Sequence, residues 1–430
     1  MPSLPKSPRL RRILLAYTVN QLGTWFGYVA LAIGVYHHTH SALAVAGLFI
    51  AARLLPALLT PVLVALVEFS ERRGGLSRLY VVEAGAVLGL AALMLWHFSL
   101  VGVLILVAID GTAALTANSL LRAAAAHTAE VEAPAGAVET AQRETNAALN
   151  VAFTATVALG PAAAGVVVTA AGSPLALLVD AVSFLACGAL LLDVRPQTPD
   201  AGETSVRARL RAAWEHLQTV PQLRGLLLTE ALAVVFFASV EPVEVLYAEA
   251  TLRAGSWGFG LLVAVWGVGM VLGSIVFARA VRRPLKPMLT WGTLAVGLSY
   301  IGFAAAPTLA VACAAALVGG VGNGVQWPAL ISAVQQMTPR ELLGRLMSSV
   351  EAIGALCPAL GFALGGAITQ LSSPRTAMLC AGLAATGMTA LFLRIARGDL
   401  TAPRVEPPPS APVGVASLAH RVEIAENESF

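Results

Sequence analysis

Charged side chains are scarce in this sequence. Asp, Glu, Lys and Arg make up 12% of its 430 residues, whereas a soluble protein of this length carries about 25%. Lysine is nearly absent and occurs as Lys6 and Lys286. Hydrophobic residues account for 57% of the chain, and its mean hydropathy is +0.77. The composition excludes an ordinary soluble domain and indicates that lipid is the solvent.

Cysteine is also sparse, and motifs typical of enzymes are missing. The four cysteines lie inside apolar runs without CxxC spacing, so we interpret them as packing residues rather than disulfide partners or metal ligands. The sequence has no glycine-rich phosphate loop and no zinc-ligand cluster, and the histidines from His37 to His40 fall in a predicted outer turn. We therefore expect no enzymatic activity, no cofactor, no metal and no nucleic-acid partner.

Long apolar runs are what the sequence does contain. A bilayer core of about 30 Å needs roughly 20 apolar residues per helix. We predict an all-α membrane protein with twelve transmembrane helices in two six-helix halves. The predicted runs are approximately 13–36, 42–67, 79–98, 100–121, 146–170, 174–192, 226–247, 256–280, 288–305, 309–334, 343–370 and 376–394.

Arginine placement predicts the orientation of these runs. Basic residues precede the first run and lie in alternate connections, so by the positive-inside rule both termini are cytoplasmic, in a bacterial plasma membrane. Leu210, Trp214 and Leu217 share one helical face, which predicts a helix on the inner membrane surface. The predicted organisation is a cytoplasmic N-terminus (1–12), an N-terminal half (13–192), a cytoplasmic linker with this helix (193–225), a C-terminal half (226–394) and a disordered cytoplasmic tail (395–430).

The two halves resemble each other in sequence. Pro161 in the fifth run matches Pro358 in the eleventh, and the pair Ser173–Pro174 matches Ser373–Pro374. Two six-helix repeats joined by a long linker are the pattern of a secondary transporter.

Ionisable residues inside the runs are candidate functional residues, since charge in a bilayer is costly. Arg53 and Asp110 lie mid-way along the second and fourth runs, about 21 and 16 Å from the cytoplasmic ends of these runs at 1.5 Å per residue. A buried ion pair between them is geometrically possible. It would act either in transport coupling or as a static lock on the bundle.

The stretch "SVEPVEVL" places Glu241 and Glu244 one turn apart in the seventh run. A carboxylate in a partly dry cavity can exchange a proton near neutral pH, and two together would attract a cationic substrate. Alternatively, the helix ends near Val240 and both are solvated rim residues. Glu230, one turn from the cytoplasmic end, is interpreted as an interfacial residue.

Two stretches carry a family resemblance: "NQLGTWFGYVALAIGVYHHTHSALAVAGLFIAARLLPALL" (20–59) and "PRELLGRLMSSVEAIGALCPALGFALGGAI" (339–368). Over roughly residues 10–395 the chain resembles the major facilitator superfamily, and within it bacterial drug and siderophore exporters of the macrolide and enterobactin efflux type. The resemblance implies a twelve-helix bundle of the major facilitator fold, a central cavity between the halves, and alternating access usually driven by protons. It also implies that helices two and eleven are adjacent, which makes Glu351 a rival partner for Arg53.

The stretch "LGPAAAG" is similar to the antiporter motif on the fifth helix of exporters in this superfamily. The resemblance assigns Gly160, Pro161 and Gly165 to it and implies that helices five and eight pack across the interface between the halves. Gly269 and Gly273 give the eighth run a close-approach face of its own. Ala164 stands where the motif usually has glycine, so generic small-residue packing is the alternative.

Two further sets follow from the resemblance. "LVEFSERRGGLSRLY" occupies the place of the cytoplasmic gating loop, in which Glu71, Arg72, Gly74 and Arg78 would act; simple positive-inside anchoring is the alternative. The first helix lines the cavity in this fold. The polar and aromatic residues that the first run would present there are Asn20, Gln21 and Trp25, although Asn20 also suits an inter-helix hydrogen bond.

These features together predict a monomeric, proton-coupled exporter of hydrophobic or amphiphilic small molecules, with membrane lipid as its surroundings. An uptake permease for a nutrient or metabolite is the alternative among transporters. A non-transporting membrane sensor or scaffold is the alternative from another class, and the costly buried charges argue against it.

Overall fold

The structure is entirely helical in its regular elements. This computed structural model describes residues 7–69, 75–134, 137–194, 218, 220–280, 283–338 and 340–395. A π-helical turn, Tyr247–Thr251, follows the seventh α-helix. The α-helices are α1 (Pro8–Thr39), α2 (Ala42–Phe69), α3 (Gly75–Leu95), α4 (Leu100–Glu132), α5 (Val138–Leu190), α6 (Pro221–Ala238), α7 (Glu241–Leu246), α8 (Gly255–Arg279), α9 (Leu285–Ala305), α10 (Leu309–Gln336), α11 (Arg340–Leu371) and α12 (Pro374–Ile395).

These helices make twelve passes in the part of the chain that the structure describes. Ten segments are long and apolar enough to cross a membrane, and Pro221–Thr251 (α6, α7 and the π turn) is one of them. Helix α5 holds two passes, because its 53 residues would span about 80 Å if straight. It folds back at Gly172, whose φ of 82° and ψ of 166° lie outside the helical region. Helix α1, with 32 residues, is the remaining pass and packs along α5. The predicted fold class is confirmed.

Six short connections lie at one end of the bundle, which we call the short-loop end. They are tight because single residues reverse the chain: His40 has a φ of 47° and donates its backbone N–H to the Tyr36 carbonyl at 2.7 Å. Gly172 and Arg253, with φ of 82° and 54°, serve the same purpose. The opposite end, to which the chain returns after each even-numbered pass, is the long-loop end.

The outer surface of the bundle is apolar. Val182 is 64% exposed and Leu360 67% exposed, a pattern that suits contact with lipid rather than water. The interior is filled by one large apolar cluster and a smaller one in the C-terminal half at the long-loop end. An apolar surface around a packed bundle is what the composition predicted.

The two halves meet toward the short-loop end. Helix α5 packs on α8, and α2 packs on α11. His37 Nε2 lies 3.5 Å from Glu249 Oε2, and the Ala42 backbone N–H donates to Gln370 Oε1 at 3.1 Å. Because these contacts join the outermost turns of opposite halves, the bundle is closed at its short-loop end.

Several predicted features lie outside the described residues. They are Glu71, Arg72 and Gly74 of the gating loop, the amphipathic linker segment with Leu210, Trp214 and Leu217, and the tail beyond Ile395. Arg78 of the predicted gating loop is described; it is exposed in the first turn of α3.

Candidate functional site: a cavity between the two halves

A cavity of about 710 Å³ lies between the two halves. Helices of both halves line it, and both halves supply acidic and aromatic side chains. In the C-terminal half, Phe237, Trp266 and Tyr300 form an aromatic wall. A cavity of this size suits a drug-sized molecule.

The aromatic wall is centred on Tyr300 of α9. Its ring stacks on Trp266 of α8, with ring centroids 5.7 Å apart and planes 11° apart. Phe237 of α6 meets the same ring edge-on at 6.2 Å. Such a wall offers flat apolar surface and the negative faces of π systems, which attract cations.

Four rings close the cavity on its short-loop side, and we call them the aromatic plug: Tyr28, Phe49, Phe259 and Phe362. Tyr28 contacts Phe49 at 5.3 Å and Phe259 at 6.3 Å, and Phe49 contacts Phe362 at 5.6 Å. Two rings come from each half, so the plug separates when the halves separate at this end.

Arg53 reaches across the interface to Glu241. Its Nη2 donates to Glu241 Oε2 at 3.1 Å, and its guanidinium lies 5.7 Å from the centre of the Phe362 ring. The predicted pairing of Arg53 with Asp110 is therefore wrong, because the arginine points toward the opposite half. The side chain of the rival partner, Glu351, lies outside the described residues.

Glu241 and Glu244 line the cavity. Helix α6 ends at Ala238, and α7 begins at Glu241, because Pro242 has no N–H to donate to the Ala238 carbonyl. The pass nevertheless continues to Thr251. The rim alternative is thus wrong for both carboxylates, although the predicted helix end near Val240 is real.

Glu230 is a cavity residue and not an interfacial one. It is 7% exposed and lines the cavity. Gln326 Nε2 of α10 donates to both of its carboxylate oxygens, at 3.2 and 3.0 Å. The interpretation from the sequence was wrong because distance from a helix end does not determine which way a side chain points.

Asp110 and Asp180 supply the acidic side of the N-terminal half. Both line the cavity, and each has a carboxylate oxygen, Oδ1, without a hydrogen-bond partner. Sequence reasoning missed Asp180, although an aspartate inside the apolar run 174–192 is the kind of signal that singled out Asp110. Together with Glu230, Glu241 and Glu244 they face one guanidinium, that of Arg53, in the described lining. The cavity is acidic overall.

Of the three residues predicted on the first run, two line the cavity and one does not. Gln21 and Trp25 line the cavity. Asn20 is 3% exposed and is absent from the described lining, and its Oδ1 has no hydrogen-bond partner. Asn20 therefore faces the interior of the N-terminal half.

The glycines of "LGPAAAG" face different helices. A Cβ on Gly165 would lie 3.1 Å from the Cα of Gly260 in α8, and one on Gly260 would overlap the Pro161 carbonyl oxygen. A Cβ on Gly160 would instead lie 2.6 Å from Cδ1 of Trp25, within the same half. Pro161 and Gly165 form the contact between the halves, and Gly160 does not.

Gly269 and Gly273 do not lie at the contact between the halves. A Cβ on Gly269 would lie 2.9 Å from the Cα of Gly320 in α10, and one on Gly273 would lie 3.0 Å from the Cα of Gly324. These two glycines pack α8 against α10 inside the C-terminal half.

Two of the histidines that were predicted to lie in an outer turn make side-chain contacts in the structure. His37 faces Glu249 of the other half, and His38 stacks on Phe98 at 4.4 Å. Among the described residues, no group of three or more His, Cys, Asp and Glu side chains is placed to hold a metal ion.

Comparisons with known proteins give the same fold. Residues 242–425 match the model of the Major Facilitator Superfamily, which is fewer than half of the residues. No curated protein matches the chain. The crystal structure of the nucleoside transporter NupG is 10% identical with a TM-score of 0.72, covering 91% of this chain and 100% of that chain.

Two other solved transporters are similar. A bacterial homologue of the iron transporter ferroportin, in an inward-facing state, is 18% identical with a TM-score of 0.70, covering 92% of this chain and 100% of that chain. A POT family transporter in complex with a thioalcohol-conjugated peptide is 12% identical with a TM-score of 0.66, covering 90% and 96%. The chain is therefore a multi-pass membrane protein with the major facilitator fold, and its C-terminal half carries the sequence signature of that superfamily.

Proposed function

We propose that this protein is a secondary active transporter that exports hydrophobic or amphiphilic small molecules, cations above all, by proton antiport. The observation that carries the proposal is the cavity between the halves, with five carboxylates, one arginine and an aromatic wall in its described lining. A cation with an apolar body would gain about 0.5–2 kcal/mol from each favourable aromatic face and a counter-charge from a carboxylate.

The predicted orientation and the closed short-loop end support export as the proposed direction of transport. The arginines around the long-loop connections favour a cytoplasmic location for that end in a bacterial plasma membrane. The contacts between the halves lie toward the opposite end, so substrate would enter the cavity from the cytoplasm or the inner leaflet. Opening of the aromatic plug would then release it outward.

Proton coupling follows from competition for the same carboxylates. A cation bound beside Glu241 or Glu244 replaces a proton, and a proton arriving from outside displaces the cation. Exchange of one proton for one monovalent cation leaves the net charge of the cavity unchanged.

An efflux assay in bacteria that lack their own pumps tests the proposal. Cells expressing the protein should accumulate less ethidium than control cells, and a collapsed proton gradient should abolish the difference. Antibiotics and siderophores extend the panel. Glu244→Gln should reduce ethidium export at least tenfold, whereas Glu132→Gln, a matched change on the exposed end of α4, should not.

Two outcomes contradict the proposal. Accumulation above that of control cells would indicate uptake, which is the permease alternative. Equal accumulation for every compound, with protein present in the membrane, would favour a non-transporting sensor or scaffold.

A further inference from the structure

Three carboxylates of the N-terminal half lie at successive depths of the bundle. Asp180 follows Gly172 by eight residues, Asp110 follows Leu100 by ten, and Glu83 precedes Leu95 by twelve. At 1.5 Å per residue these positions lie about 12, 15 and 18 Å from the short-loop end. The helices α3, α4 and α5 that carry them pack against one another. The three residues therefore form a descending series, which we call the acid series.

The inner members of the acid series are buried, and three of their four carboxylate oxygens have no hydrogen-bond partner. Glu83 is 0% exposed and Asp180 is 2% exposed. Neither oxygen of Glu83 has a partner, and neither does Oδ1 of Asp180. The Tyr80 hydroxyl, one turn before Glu83, is likewise buried and unpartnered. Buried polar groups are almost always satisfied in proteins, so this concentration of unsatisfied atoms indicates a ligand.

No cation of the described chain neutralises the acid series. The charged groups that act on Glu83 are Asp110 and Asp180, and Asp110 acts on Asp180. The other titratable neighbours are Tyr80, on the helix of Glu83, and Cys187, on the helix of Asp180. The arginine of α4, Arg122, lies twelve residues beyond Asp110 and donates to the Tyr17 hydroxyl at 2.7 Å.

A metal ion does not fit these positions. Within the described residues, no three acidic, histidine or cysteine side chains are close enough to coordinate one ion. Three like charges without a counter-ion cannot all persist in an apolar interior. The ligand that neutralises a carboxylate singly, and needs no shared coordination sphere, is a proton.

We propose that Glu83 and Asp180 form a proton-binding site inside the N-terminal half, loaded from the cavity through Asp110. Asp110 and Asp180 both line the cavity, and Asp110 is the least buried of the three. A proton from solution in the cavity binds its carboxylate and passes to Asp180 or Glu83, and the same proton leaves by the reverse route. No other bond is made or broken.

A change in the protonation of Asp180 would act on α1, which carries cavity residues. It packs against α1 where that helix has no side chains: a Cβ on Gly23 would lie 2.8 Å from Asp180 Oδ1, and one on Gly27 would overlap Oδ2. The same helix carries Trp25 of the cavity and Tyr28 of the aromatic plug. Charge on Asp180 therefore acts directly on the backbone of α1. This coupling role rests on the proposed antiport.

Infrared spectroscopy of the full-length protein tests proton binding without any substrate. In a maltoside detergent, which has no ester carbonyl, the protein at pH 7 should give a protonated-carboxyl band that shifts in D₂O. Glu83→Gln and Asp180→Asn should each remove part of that band, and the double variant should remove both parts and leave the contribution of the cavity carboxylates. Glu132→Gln, on the exposed end of α4, should leave the band unchanged.

The outcomes separate this inference from the proposed function. A wild-type spectrum without a protonated-carboxyl band, or a band that survives intact in the folded double variant, overturns the proton site. If Glu83→Gln does not fold, Glu83→Asp should move the band rather than remove it. Since no substrate is added, a failure of ethidium export in cells has no bearing on this result.

Discussion

Arg53 joins the two halves through its side-chain contacts. It belongs to α2 of the N-terminal half, yet its ion-pair partner, Glu241, and its ring contact, Phe362, both belong to the C-terminal half. The side chains of Arg53 and Glu241 are 45% and 30% exposed, so the pair is partly solvated by the cavity. Its energy is modest, and the proposed transport cycle would break and re-form it.

The first prediction concerns this pair. Arg53→Gln and Glu241→Gln should each destabilise the closed state by on the order of 1 kcal/mol, because each leaves a partly exposed charge without its partner. Each single variant should melt about 1–3 °C lower and export less ethidium. The double variant should recover part of both losses, as a double-mutant cycle of melting temperatures would measure.

Arg53→Gln combined with Asp110→Asn is the matched control. It removes the same charge type at similar depth but no contact seen in the structure, so its effects should be additive. Recovery in this control, with none in the Glu241 combination, would restore the pairing that depth along the helices suggested.

At the scale of elements, α5 and α8 approach each other closely across the interface between the halves. Gly165 and Pro161 face Gly260, and Gly267 of α8 faces the Val157 carbonyl, where a Cβ would lie 2.7 Å away. Small residues allow helix backbones to touch where lipid gives no hydrophobic drive for association. The contact can also separate without unfolding either helix.

The second prediction places bulk at this contact. Gly260→Leu should destabilise closure at the short-loop end by about 1–3 kcal/mol, which shifts a two-state equilibrium about 5- to 150-fold. The variant should reach the membrane in normal amounts, yet export ethidium at least fivefold more slowly. Quantitative blotting and efflux measure the two effects separately.

Two other glycine variants serve as controls for this prediction. Gly85→Leu, on the exposed side of α3 with open space around it, should change neither measurement. Gly160→Leu should lower the amount of folded protein, since it displaces Trp25 within one half. Full export by a well-expressed Gly260→Leu protein would assign the α5–α8 contact to packing alone.

At the scale of the whole molecule, closure is distributed over several layers at the short-loop end. The His37–Glu249 and Ala42–Gln370 contacts lie outermost, the aromatic plug lies below them, and the Arg53–Glu241 pair faces the cavity. Because each layer draws on both halves, all of them must open together. Rigid-body movement of the halves is the simplest motion that does this.

The third prediction concerns an engineered disulfide that would prevent the halves from separating. A Cβ at position 366 would lie 2.6 Å from the Ala46 Cβ, so cysteines at both positions would reach disulfide geometry after the helices part by about 1 Å. In a background lacking Cys187, Cys313, Cys357 and Cys380, Ala46→Cys with Gly366→Cys should cross-link under oxidation and lose export. Reductant should restore it, as a gel-shift and efflux series would measure.

Each single-cysteine variant is the control, since it has no partner to cross-link. Undiminished export by the fully cross-linked protein would mean that the halves do not separate at α2 and α11. Alternating access would then require the halves to separate at a different contact.

Helix number, helix length and the repeated halves were decided by the sequence itself. A run of about 20 apolar residues has to cross the bilayer as a helix, since no other structure satisfies its backbone there. The gap between the runs 146–170 and 174–192 predicted the break in α5, which the structure places at Gly172. Arg53, Asp110, Glu241 and Glu244 could be recognised as cavity candidates because charge inside such runs is rarely tolerated without a role.

Which residues face one another was decided by the tertiary structure alone. Sequence position gives the depth of a residue but not its direction around the helix, and five residues turn an α-helix by about 500°. Gly160 and Gly165 therefore face Trp25 and Gly260 on different sides. For the same reason Arg53 meets Glu241 rather than Asp110, and Glu230 meets Gln326 rather than the interface. Partner choice depends on how two separate halves are docked, and that docking involves contacts between residues that are far apart in the chain.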